Sequence, residues 1–114
     1  VGYFHSAASG DAVDFYWQTA TETSNAGFNL YAASDEGMVK LNDSLIQSKV
    51  IDSVEPTDYS YSAATSATSF YIEDVSIDGK TDQAGPFALG EEYGVYTSTA
   101  TELTPVMYMP FVIR

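Results

Sequence analysis

The stretch Gly10-Asp11-Ala12-Val13-Asp14-Phe15-Tyr16-Trp17-Gln18-Thr19, followed after a polar loop by Phe28-Asn29-Leu30-Tyr31, decides how this chain folds. Val13, Phe15 and Trp17 alternate with Asp14, Tyr16 and Gln18. An extended backbone therefore collects the apolar residues on one side and mostly polar ones on the other. On a helix the same residues would be scattered around the surface. Phe28 and Leu30 repeat the alternation, with Asn29 and Tyr31 outward. Ser9 to Asp11 read as a turn before the first of these strands, and Thr19 to Ala26 as the loop between them.

The pattern continues in both directions. Gly2 to Ala7 reads as a first strand. After a turn around Ser34 to Gly37, Val39, Leu41, Leu45 and Ile46 supply short apolar pieces. Asp58 to Ser62 form another strand, with Tyr59 and Tyr61 on one face. From Thr68 to Ile77 the alternation is strong again, with Thr68, Phe70 and Ile72 inward and Ser69, Tyr71 and Glu73 outward. Asp78-Gly79 predicts a type I′ hairpin, in which both central residues take positive φ. Lys80 begins a returning strand that reaches Phe87 and Leu89, and Gly85-Pro86 within it suits an edge or a bulge. Turn residues recurring roughly every 8–12 positions predict an all-β sandwich or barrel.

Composition bounds what such a domain can do. The 114 residues suffice for one domain, and an apolar fraction of 45% gives it a core without staples. Cysteine is absent, which excludes disulfides, thiol nucleophiles and Cys-based zinc sites. No apolar run approaches the ~20 residues of a membrane helix. Sixteen acidic residues face four basic ones, so the surface repels nucleic acid and anionic lipid. The chain opens at Val1 with no signal peptide and reads as a processed or excised piece.

Residues 10–31 resemble the G-D-x-V-x-L-x-W-x-T-A-x-E-x-x-N-x-G-F-x-(I/L)-Y pattern of fibronectin type III-like, immunoglobulin-like domains in bacterial secreted and surface proteins. Glu73-Asp74-Val75-Ser76-Ile77-Asp78-Gly79-Lys80 is similar to that family's E-D-V-D-(L/I)-(D/N)-G-K hairpin, and Gly85-Pro86 sits where the family often has a G-P pair. The resemblance covers about residues 2–90 and implies an antiparallel sandwich of about seven strands, with 91–114 as a C-terminal extension. It places Trp17 in the core, and Asn25 and Gly27 in the loop before the third strand. It departs at Thr68 and Phe70, where the family has Tyr-x-Tyr and makes a corner hydrogen bond. It implies a non-catalytic accessory module, extracellular or on the cell surface, that spaces, docks or stabilises a neighbouring domain. No catalytic residue carries over.

His5, the single histidine, lacks an evident nucleophile and acid partner and reads as an ordinary strand residue. The acidic pairs Asp35-Glu36, Glu73-Asp74 and Glu91-Glu92 are sequence neighbours, which on a strand point to opposite faces and cannot flank one substrate bond. Asp74, Asp78 and Asp82, spaced four apart around the hairpin, form the candidate calcium set, against solvated turn residues. Tyr31 and Tyr71 are the candidate binding residues for a carbohydrate or protein partner; the resemblance implies that they lie side by side, with Tyr16 on the other sheet. Asn42-Asp43-Ser44 is a formal glycan acceptor that reads as chance. The apolar segment from Thr104 to Arg114 either folds back as an edge strand or pairs with a neighbouring chain or domain.

Overall fold

The computed structural model describes residues 1–20, 24–49 and 55–97, so the segment from Thr104 to Arg114 lies outside the described residues. Nine strands and no helix are found there: β1 (Tyr3–Ser9), β2 (Ala12–Thr19), β3 (Asn25–Ser34), β4 (Gly37–Lys40), β5 (Ile46–Gln47), β6 (Thr57–Ala64), β7 (Ser69–Ser76), β8 (Thr81–Ala88) and β9 (Glu92–Gly94). One sheet runs β6-β2-β1-β9. The other runs β4-β3-β7-β8, with β5 pairing a separate stretch of β3. All pairings are antiparallel. The fold is a β-sandwich. Relative to about seven strands, the additions are the two-residue β5 and the three-residue β9, which caps the edge of β1.

Alternation places the core where the opening stretch puts it. Phe4, Val13, Phe15, Trp17 and Tyr59 from the first sheet meet Phe28, Leu30, Ala32, Phe70 and Ile72 from the second, all buried. The contact is largely aromatic. Phe15 meets Phe70 edge-on at 4.8 Å, and Phe28 meets Trp17 at 5.5 Å and Tyr59 at 4.7 Å. Edge-to-face rings gain attraction beyond their buried area. Val39 does not join this core. It is 54% exposed, on the edge strand β4.

Two local features differ from the sequence reading, and a third, at Gly85, is the irregularity that the Gly85-Pro86 pair predicts. At the β7–β8 hairpin only Gly79 has positive φ, and Asp78 does not. Ser76 N–H bonds the Lys80 carbonyl and Gly79 N–H the Ser76 carbonyl, so the connection is the three-residue loop Ile77-Asp78-Gly79 rather than a two-residue type I′ turn. Asp78 keeps ordinary φ because its carboxylate caps the loop, accepting from Ser76 Oγ and from Lys80 N–H. Second, Asn25 and Gly27 belong to β3 rather than to a loop. A side chain on Gly27 would strike the Ile46 carbonyl and Leu45, so only glycine lets β5 pair there. Third, the register shifts between Phe70 and Ile72 opposite Gly85, whose φ of 130° and close approach to the Phe70 carbonyl and Tyr71 ring exclude a side chain.

Candidate functional site

Tyr31 and Tyr71 are direct partners across β3 and β7 on the outer face of the second sheet. Both are half-buried rather than displayed. The Tyr31 hydroxyl donates to Glu73 at 2.9 Å, and Asn29 Nδ2 donates to the same carboxylate oxygen at 3.0 Å. Burial, that hydrogen bond and repulsion by Glu73 all raise the Tyr31 hydroxyl above the ordinary tyrosine value. Asn29 in turn accepts from Asn42 Nδ2 at 2.8 Å. Asn42 is 2% exposed, and its Oδ1 takes the Leu30 N–H at 2.8 Å. It fills a gap in the sheet edge. β4 pairs Tyr31 to Ser34 and β5 pairs Gly27 and Phe28, and the Asn42 side chain serves Leu30 between them. The polar groups of this face therefore hold the sheet, and Asn42 is a structural amide rather than a glycan acceptor.

Asp74 and Asp82 are direct partners across β7 and β8, and Asp78 sits at the hairpin tip between them. All three line one open cleft of about 510 Å³ at that end of the sandwich, with Val1, Asn25, Phe28 and Lys80. Asp78 is committed to its loop, which holds its carboxyl below the usual range through the Ser76 and Lys80 hydrogen bonds. Among the described residues, no three His, Cys, Asp or Glu side chains gather in a way that could hold a metal ion.

The most distinctive surface is the outer face of the first sheet. Strand parity puts Tyr3 and His5 of β1 beside Gln18 and Tyr16 of β2, with Asp58 of β6 and Glu92 of β9 flanking them. Tyr96 follows β9 and packs edge-on against Tyr3 at 5.3 Å and 71°. Its hydroxyl donates to Asp58 Oδ2 at 2.8 Å, while the Tyr3 hydroxyl donates to Glu92 Oε2 at 3.0 Å. Gln18 ties the corner, donating to Asp58 at 2.9 Å and to the Thr97 carbonyl at 2.6 Å, and accepting the Thr97 N–H at 2.9 Å. Burial first, then Glu92 and Tyr96, raise the Tyr3 hydroxyl above the ordinary value. Tyr16 and Tyr96 are 44% and 49% exposed. Tyr3, Tyr16, Tyr96 and Asp58 line a small pocket of about 130 Å³. Sequence reading placed Tyr16 outward but missed Tyr3 and Tyr96. The β1 alternation could have exposed Tyr3. Tyr96 arrives only through the pairing of β9 with β1.

His5 lies 6.2 Å from the Tyr16 ring and 3.9 Å from Glu92, and among the described residues no serine hydroxyl is hydrogen-bonded to it. No helix among the described residues is long and apolar enough to cross a membrane. No family model, curated protein or solved structure matches the chain.

Proposed function

We propose that the chain is a fibronectin type III-like, non-catalytic accessory module of a larger secreted or cell-surface bacterial protein, in which it docks against, stabilises or spaces a neighbouring domain. The observation that carries this reading is the contrast between the two outer faces. Both faces carry hydrogen-bonded polar groups, but on the second sheet Tyr31 and Tyr71 are half-buried. On the first, Tyr16 and Tyr96 stand about half exposed beside acidic groups. Exposed tyrosines set among tethered polar groups suit association, because they bring large contact area at little entropic cost. The strand order supports the family reading. Consecutive hairpin strands β1 and β2 share one sheet with β6, while β3 and β4 share the other with β7 and β8, the crossed connectivity of immunoglobulin-like sandwiches.

A second reading, a carbohydrate- or protein-binding module, draws on the same tyrosines, with the pocket of the first sheet favouring it over the half-buried Tyr31–Tyr71 pair. Deleting the module from its parent protein tests the accessory role. The neighbouring domain should melt at lower temperature or lose its attachment, with its turnover per folded molecule unchanged. Catalysis by the isolated chain, abolished by one of its own substitutions, would refute it.

A further inference from the structure

Building on that docking role, we propose that the pocket between Tyr3, Tyr16, Tyr96 and Asp58 receives a basic side chain, arginine or lysine, from a partner protein. Its size points to one side chain. Sites for whole small molecules run roughly 300–1,000 Å³, and this pocket holds about 130 Å³. Its walls have the composition that favours a cation. Tyr3, Tyr16, Tyr59 and Tyr96 line it with Trp17 and Asp58, and a cation over an aromatic face is drawn by the ring quadrupole. The rings are also held in place. Tyr96 is fixed by its edge contact with Tyr3 and its bond to Asp58, and Tyr3 by its bond to Glu92, so little ordering remains for a ligand to impose.

Charge selects the same occupant. β1, β2, β6 and β9 contain no lysine or arginine, whereas Asp14, Asp58 and Glu92 all belong to this sheet, within a chain of net charge −12. A field of that sign raises the encounter rate of a basic partner and suppresses acidic ones. The chain supplies its own precedent next door. Lys49 Nζ donates to the Asp58 main-chain carbonyl at 2.5 Å and lies 5.2 Å from the centre of the Tyr59 ring, so a lysine already rests on an aromatic face and a carbonyl of the same strand.

The test is a titration of the whole chain with a capped Gly-Arg-Gly tripeptide, its citrulline counterpart and glucose, followed through the NMR signals of the tyrosine rings. The arginine peptide should shift Tyr3, Tyr16 and Tyr96 saturably, and the neutral probes should not. Tyr16→Ala and Asp58→Asn should each weaken binding about tenfold, whereas the double change Asp35→Asn with Glu36→Gln, on the distant β3–β4 turn, should leave it unchanged. Tyr16→Ala alters an exposed side chain and keeps the test valid if Asp58→Asn disturbs the fold. Equal response to citrulline, response to glucose alone, arginine shifts spread over the acidic surface, or no response would overturn the proposal. These outcomes are separate from the accessory role. A parent protein that loses stability on module deletion, with no arginine response, sinks only the pocket. An arginine response in a parent indifferent to deletion sinks the accessory role and keeps the pocket.

Discussion

Trp17 and Tyr59 are direct partners across β2 and β6, and their rings stack at 5.7 Å with only 9° between planes. Phe28, from the opposite sheet, meets both edge-on. Three rings from three strands thus close the sandwich at one point, and Trp17 is 1% exposed. Trp17→Ala should cost about 3–5 kcal/mol from lost transfer energy and the cavity left behind. Thermal melting should fall by more than about 10 °C. A melt within a degree or two of the parent would contradict this packing.

The Asn42 side chain stands in for a missing piece of strand. Replacing it with leucine leaves the Leu30 N–H buried without an acceptor and removes the donor to Asn29. The expected cost is about 1–3 kcal/mol. Hydrogen exchange at the Leu30 amide should accelerate more than at Ile72, its partner in β7. Uniform acceleration along β3 would mean that Asn42 matters only for global stability.

High pH should weaken the tie between Tyr31 and Glu73. A hydroxyl whose folded pKa is raised contributes stability fully present below the ordinary tyrosine value of about 10, and lost as pH rises through the folded pKa. Tyr31→Phe should therefore be less stable than the parent at neutral pH, and the difference should shrink above about pH 10. Denaturant melts of both proteins at several pH values check this. A gap that stays constant through the alkaline range would show that the hydroxyl is unlinked to folding.

The hairpin acids support a different expectation. Asp78 already caps its own loop, and its lowered pKa makes its contribution present above the ordinary carboxylate range and lost as pH falls through the folded value. Millimolar calcium should raise the melting temperature no more than magnesium does. A calcium-specific rise, reversed by chelator, would show that Asp74, Asp78 and Asp82 assemble into a ligand set.

How much of this was legible in the sequence follows from the range of the forces involved. Side-chain alternation is local, so Val13, Phe15, Trp17, Phe28, Leu30, Phe70 and Ile72 could be assigned inward, and Tyr31 and Tyr71 outward, from their own neighbours, while the sharing of one face by the two tyrosines rested on the resemblance. The hairpin type was misread because a side-chain hydrogen bond, Asp78 to Lys80 N–H, overrides the preference of the Asp-Gly pair. The strand placement of Gly27 and the structural role of Asn42 are not legible in the sequence, because their reasons lie across space. Asn42 serves an amide on another strand, and Gly27 makes room for the Ile46 carbonyl. The first-sheet pocket was invisible for the same cause, since Tyr3 and Tyr96 meet only once β9 docks on β1.

The outer face of the first sheet is proposed above to serve association rather than folding. The most direct measurement replaces Tyr16 and Tyr96, 44% and 49% exposed, by serine within the parent protein and follows the melting of this module and of its neighbour separately. On the proposed accessory role, the module should melt within a few degrees of its unsubstituted form, because neither ring belongs to the core, while the neighbouring domain should melt at lower temperature. A neighbour that melts unchanged, or a module that unfolds together with it, would contradict the claim.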